Sequence, residues 1–212
     1  MGVVMLQYVL IAEDHPICAA AIKLAAQDHD STIFVETCET LADALRMLGE
    51  REYDALVLDL GLKDSSGLIN LSLVRSDFPG IPVLIISGTE GAKVAARAKG
   101  MGAQGFLNKE ASLQKIGSAI GAILAGGDYF EERDLAASEE AEASGIEKLS
   151  KAQLRVMHAL STGSSNKVIA YELGISEPTV KSHLTAIYRA LGVTNRSQAI
   201  MALKEMGGRS VQ

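Results

Sequence analysis

The stretch YDALVLDLGLKDSSG, residues 53–67, runs apolar from Ala55 and ends its run on an acid, Asp59, before a loop with two glycines. A short run that is apolar throughout, rather than alternating, reads as a strand buried on both faces. Four more such runs lie around it: Tyr8–Ala12, Thr32–Val35, Pro82–Ser87 and Gln104–Leu107. Helix-period stretches follow each strand, at 16–27, 40–50, 66–77, 90–99 and 111–124, with breaks such as Pro79-Gly80, Gly100 and Gly126-Gly127. Strands alternating with helices at short spacing predict a parallel sheet covered on both sides.

That (βα)5 order implies an α/β, doubly wound, flavodoxin-like fold, with functional residues at the C-terminal ends of the strands. Glu13-Asp14 follow the first strand, Asp59 ends the third, Ser87 ends the fourth, and Lys109 follows the fifth. Gathered on one edge, they form a site of three carboxylates, a hydroxyl and an ammonium. Crowded carboxylates call for a cation, and oxygen ligands suit Mg²⁺, which keeps waters for an incoming phosphate. Asp59 sits centrally as the nucleophile for an acyl phosphate, with Ser87 and Lys109 on the phosphoryl oxygens. Singly, an Asp after a strand is usually a cap or turn residue and a lysine is usually solvated. The ordered set carries the reading.

Composition agrees with two domains. The 212 residues are 48% hydrophobic and 22% charged with four prolines, which excludes a disordered or collagen-like chain. No apolar run approaches the roughly 18 residues of a membrane span, and the start lacks a secretory signal, so a cytoplasmic protein is expected. Cys18 and Cys38 have no metal-ligand spacing and read as free thiols. The net charge of −6 hides an asymmetry: residues 1–144 carry 11 Lys+Arg against 22 Asp+Glu, and residues 145–212 carry 9 against 4. Between the halves, residues 128–144 hold seven acids and one arginine and read as a part-helical linker.

From Gly145 the chain is helical throughout. Ser150 and Gln153 form a capping box, Ser165 caps a short helix ended by Gly174, and Ser176 caps the next, with Pro178 in its first turn. Two helices joined by Gly-Ile-Ser form a helix-turn-helix. In the second, Val180, Leu184, Ile187 and Leu191 face the core, while Lys181, Ser182, Thr185 and Arg189 face away, fit for a major groove. His183 lies between the two faces. Exposed lysines are usually only solvated, so this face alone is weak evidence.

The blocks VLIAEDHP (9–16), YDALVLDLGLKDSSG, VLIISG (83–88) and GAQGFLNKEAS (102–112) closely resemble the receiver domain of two-component response regulators. Residues 149–200, through SNKVIA, SEPTVKSH and LGVTNRSQAI, resemble the LuxR-type helix-turn-helix of the NarL/FixJ group. The resemblance implies a receiver at 1–127, a linker at 128–144 and a DNA-binding domain at 145–212. It also implies Mg²⁺ held by Glu13, Asp14, Asp59 and the Gly61 carbonyl, phosphorylation of Asp59 by a sensor histidine kinase or phosphotransfer protein, and a relay through Ser87, Phe106 and Lys109. In the second domain it implies phosphate contacts from Asn166, Lys167 and Thr179, groove contacts from Lys181, Ser182 and Thr185, and a dimer contact from about Arg196 to Met206.

Two positions depart from the pattern. Lys63 replaces the usual proline, which suggests a flexible, charged loop beside the site, and Ala152-Gln153 replaces arginine-glutamate without loss of the cap. The expected function is transcriptional regulation on double-stranded DNA, switched by phosphorylation, with phosphoacceptor chemistry but no turnover. The opposite charges of the halves suggest a resting form in which the basic domain lies on the receiver and hides its recognition helix. The alternatives are a regulator controlled by protein docking without phosphate, and a small phosphotransferase using Asp59.

Overall fold

The computed structural model describes residues 6–65, 67–88, 92–131 and 145–207, with backbone alone for 204–207. The first part alternates β1 (Gln7–Ala12), α1 (Pro16–His29), β2 (Ile33–Cys38), α2 (Leu41–Glu50), β3 (Ala55–Leu58), α3 (Ile69–Asp77), β4 (Val83–Ser87), α4 (Ala92–Gly100), β5 (Gly105–Asn108) and α5 (Leu113–Leu124). All strand pairs are parallel in the order β2-β1-β3-β4-β5. Successive side chains point to opposite faces of a strand, which sorts the sequence into two cores. Val9, Ile11, Val57, Leu84 and Ile86 pack against Ile22, Ala26, Ile116 and Ile120 of α1 and α5. Leu10, Leu56, Leu58 and Ile85 join the cluster of α2, α3 and α4 on the other side.

The expectation of burial on both faces fails for β2. It is an edge strand, and Phe34 is 48% exposed. Glu36 on this edge pairs with Arg51 at 2.8 Å and accepts from Tyr53, while Arg51 stacks 4.0 Å over Tyr8. Charge on an edge strand discourages pairing with a further strand. Tyr129, within the stretch read as linker, instead bridges to Gly105 beside β5; residues 132–144 lie outside the described residues.

A single 3-10 turn (Ile146–Lys148) leads into α6 (Lys151–Ser161), α7 (Asn166–Leu173), α8 (Glu177–Leu191) and α9 (Arg196–Gly207). Each expected cap forms: Ser150 with Gln153 as a capping box, Ser165 on the Val168 N–H and Ser176 on the Thr179 N–H. Gly174 ends α7 at φ 64°, in the left-handed region where glycine alone carries no Cβ strain. At Gly145 a side chain would meet the Ala190 carbonyl at 2.3 Å, so glycine is needed for the chain to enter beside the end of α8.

The two domains share one apolar cluster, which continues from α3 through Ile146, Leu154 and Met157 to Ile187 and Leu203. Their contact is made by α6 against α3. Lys151 and Arg155 reach Asp77, the last residue of α3, at 2.7 and 3.5 Å. Such half-exposed ion pairs contribute at most about 1 kcal/mol each, so they set register while the apolar contact holds the domains together.

Candidate functional site

The switch point of the sheet falls between β1 and β3, where connections leave in opposite directions. Glu13 and Asp14 follow β1, and Asp59 follows β3. Oxygens of these three acids and a ring nitrogen of His15 lie within 4.8 Å of one another. Lys109, just after β5, places Nζ 2.6 Å from Glu13 Oε2 and 2.9 Å from Asp59 Oδ2. Its backbone N–H donates to the Ser87 carbonyl at 2.9 Å, which ties the β4 and β5 ends together. Ser87 and Phe106 are both buried.

The electrostatics follow from burial. Asp59 is 4% exposed, and loss of water pushes its carboxyl above the usual range; the Lys109 ammonium and the Gly61 N–H oppose this, and Glu13 adds to it. Burial likewise works against the Lys109 charge, but its contacts with Glu13 and Asp59 outweigh that and hold the ammonium above its ordinary value. Three carboxylates against one lysine leave excess negative charge. Glu13 Oε2 and Asp14 Oδ1 are buried without a well-aligned hydrogen-bond donor, close as Lys109 and His15 are. An all-oxygen acid set with orphaned acceptors fits a hard divalent cation.

Three residues around the site, His15, Asn70 and His158, are not marked by the sequence, and a fourth, Asp64, is marked only as the acid after Lys63. His15 gathers the two acids: its Nδ1 lies 3.0 Å from Glu13 Oε1 and 2.7 Å from Asp14 Oδ1, and its backbone N–H also donates to Glu13 at 2.9 Å. Its place in EDHP was the available signal. Asn70, fully buried in α3, donates to the Asp59 and Leu60 carbonyls and braces the loop; nothing in the INLSLV pattern marked it. Asp64 accepts from the Leu41 and Ala42 N–H groups at 2.8 and 3.0 Å, at the start of α2. His158 of α6 sits against Asp64, and burial lowers its ring below the usual histidine value, although Asp64 and Glu172 pull the other way.

In the loop where Lys63 stands, Lys63 pairs with Glu39 before α2, and Asp64 beside it caps α2. Both charged residues thus find partners at the neighbouring connection and helix start.

The residues expected to contact DNA lie on two helix starts and one helix face. Lys167 and Thr179 are exposed and Asn166 partly so, in the first turns of α7 and α8. The positive dipole end there favours phosphate, although the serine caps already take the Val168 and Thr179 N–H groups. Lys181, Ser182, Thr185 and Arg189 are exposed along α8, while Val180, Leu184 and Ile187 are buried as expected. The Thr185 hydroxyl rests on the Lys181 carbonyl at 3.0 Å. The expectation that the receiver hides this face is not met, because the receiver engages α6 instead. On α9, Arg196 ties inward to the Ser164 carbonyl at 2.7 Å, and Met201 is 60% exposed.

Residues 9–121 match the response regulator receiver domain family, and residues 147–203 match the bacterial regulatory proteins of the luxR family. The chain belongs to the two-component response regulators with a LuxR-type helix-turn-helix. It is 34% identical over 206 residues to the glycerol metabolism activator of Pseudomonas putida, covering 92% of this chain and 93% of that one. It is 32% identical over 206 residues to the nitrate/nitrite response regulator protein NarP of Escherichia coli, covering 94% and 95%. Among solved structures, RcsB of Salmonella enterica serovar Typhimurium bound to a promoter superposes with a TM-score of 0.60 at 19% identity, covering 95% of this chain and all of that one. This response regulator is thus a DNA-binding transcription regulator, and its family is one of regulators rather than turnover enzymes. Receiver domains generally bind Mg²⁺ through acids such as those clustered here. No helix among the described residues is long and apolar enough to cross a membrane.

Proposed function

We propose that this response regulator is switched by Mg²⁺-dependent phosphorylation of Asp59 from a sensor histidine kinase or phosphotransfer protein. The observation that carries the reading is the meeting of Glu13, Asp14 and Asp59 within 4.8 Å, with Lys109 2.9 Å from the Asp59 carboxylate. A carboxylate oxygen of Asp59 attacks the phosphorus in line; the new P–O bond forms as the P–N bond to the donor histidine breaks and the imidazole leaves. Lys109 holds positive charge against the oxygens of the transferred group. Glu13, Asp14, Asp59 and the Gly61 carbonyl are the residues to hold Mg²⁺, which when bound neutralises charge on the phosphoryl oxygens. His15 keeps the two acids together for that purpose. Ser87, at the end of β4, and Phe106 of β5, paired with Ile85, are both buried and relay the change; Phe106 has no hydroxyl, so its part rests on packing.

Domains at 1–127 and 145–212, joined by an acidic linker at 128–144, fit this reading. In the second domain Asn166, Lys167 and Thr179 hold phosphates, and Lys181, Ser182 and Thr185 enter the major groove, in a homodimer joined through α9. A cytoplasmic setting is consistent with both partners.

Incubation with acetyl phosphate tests the switch. Labelling that requires Mg²⁺ and stops after one equivalent supports it. Absence of labelling with intact DNA binding returns the alternative, a receiver used as a docking surface, and many turnovers return the phosphotransferase. Two further outcomes are expected. Mg²⁺ at about 100 times its Kd stabilises the folded receiver by about 2.7 kcal/mol, read as a rise in Tm that Asp14→Asn loses. Lys167→Ala weakens binding to all DNA sequences alike and lowers the slope of log K against log salt by roughly 0.9, measured by a salt titration on specific and random duplexes.

A further inference from the structure

The backbone carbonyls that follow β3 are claimed one after another, two of them from α3. The Asp59 N–H donates to the Ala12 carbonyl at 2.9 Å, which fixes the end of the strand. Asn70, in the first turn of α3, donates through its side-chain amide to the Asp59 carbonyl at 3.3 Å and to the Leu60 carbonyl at 3.4 Å. The Leu60 carbonyl also accepts the Gly67 N–H at 2.7 Å, and the Leu62 carbonyl accepts the Ser65 N–H at 3.3 Å. Among the described residues, the Gly61 carbonyl between them accepts no hydrogen bond.

One peptide plane joins this brace to the candidate phosphoacceptor. In a trans peptide the C=O and N–H point in opposite directions. The plane between Leu60 and Gly61 has its oxygen held by Asn70 and Gly67, and its N–H donates to the Asp59 carboxylate. Without Asn70, the Asp59 carbonyl loses its donor, and Gly61 has no side chain to restrain the plane.

Asn70 itself gains little from the arrangement. It is fully buried, its two bonds are longer than the usual value of about 2.9 Å, and its Oδ1 has no hydrogen-bond partner. Ser72, also buried in α3, instead turns back to its own helix at the Leu68 carbonyl. A buried amide with an orphaned acceptor is a poor way to seat a helix on the core, where a leucine of similar size would serve.

We propose that Asn70 is a positioning residue of the phosphoacceptor site: it fixes the Leu60–Gly61 peptide, so that the Asp59 carboxylate stays aligned and the Gly61 carbonyl stays free for a divalent cation. The proposal rests on Asp59 as the phosphoacceptor beside a Mg²⁺ site, and the test separates the two.

Asn70→Leu in the full chain is the main variant. It removes one orphaned acceptor and creates another at the Asp59 carbonyl, so its Tm in chelator should stay within roughly 4 °C of the parent. Its affinity for Mg²⁺, measured by titration calorimetry, should fall roughly 10-fold or more, the usual cost of losing a group that orients metal ligands. In acetyl phosphate labelling the Mg²⁺ concentration for half-maximal rate should rise by the same factor, while the rate at saturating Mg²⁺ falls less. A role in folding alone would do the reverse, lowering the labelled fraction with the Mg²⁺ dependence unchanged. Should Asn70→Leu not fold, Asn70→Ala removes the same amide without filling its place, and the same weakening is expected. An unchanged Mg²⁺ affinity in a folded variant overturns the positioning role and leaves Asp59 as phosphoacceptor. Failure of both variants to fold also overturns it, since the asparagine is then structural. A parent that neither binds Mg²⁺ nor takes the label overturns the functional reading as well.

Discussion

Asp59→Asn is expected to reduce Mg²⁺-dependent labelling by acetyl phosphate to background, a loss of at least about 100-fold, the largest effect of any single change. The amide has the shape of the carboxylate but not its nucleophilic oxygen, and the other acids of the cluster are engaged as well. Glu13 is engaged by His15 and Lys109, and Asp14 is held by His15. The same variant should be more stable than the parent when no divalent ion is present. Burial raises the Asp59 carboxyl, so the folded state binds its proton more tightly than the unfolded chain does. That contribution favours folding at low pH and is lost as pH rises above the ordinary value of 3.8. At neutral pH the ionised, buried acid is therefore a cost, and asparagine removes it. Thermal melts of both proteins in chelator should show a gap at pH 7 that narrows toward pH 3.8. Labelling of the variant at the parental rate sinks the assignment of Asp59; an unchanged or lower Tm at pH 7 sinks the electrostatic account.

The second large effect is expected at Lys181→Ala. Lys181 stands in the second turn of α8, exposed, on the face opposite Val180, Leu184 and Ile187. On the proposed reading a lysine there reaches base edges, and a good base contact is worth about 1–3 kcal/mol of discrimination, which is roughly 5- to 150-fold in affinity. Binding to a selected site should fall by that factor while binding to random DNA falls far less. This contrasts with Lys167→Ala, whose loss is the same on every sequence because phosphate carries no base identity. Competition of specific against random duplex for both variants decides the matter; an equal loss on both DNAs for Lys181→Ala would move that residue to the phosphate group. Thr185 is a weaker probe, since its hydroxyl already bonds to the helix backbone.

Much of the molecule was legible because its signals are local. Strand runs end within a few residues of where they were expected, and each serine cap is in place, since a cap depends on its own side chain and an N–H three residues on. The meeting of Glu13, Asp14, Asp59 and Lys109 was legible too, because a parallel sheet brings all strand ends to one edge. Asn70 was not, for its polar group is used only through the fold, on carbonyls of a loop some ten residues earlier. The exposure of β2 was missed because a run of β-branched and aromatic residues looks the same at an edge as in the middle. The partner of Lys63 was not legible either, since Glu39 lies on another connection.

By itself the sequence determined the residue types gathered at the candidate site, the two-domain order, the helix ends and the family, all of which reside in residue types at short spacing. Only the tertiary structure decided how the domains meet. Opposite net charge favoured some contact without choosing its face, and that face was chosen by shape: the apolar strip of α6 closes on α3, and Arg155 finds Asp77 across 78 residues of chain. Bulk charge acts at long range and is screened, whereas packing acts between surfaces that fit. For that reason the polar face of α8 stays exposed and α3 carries the contact.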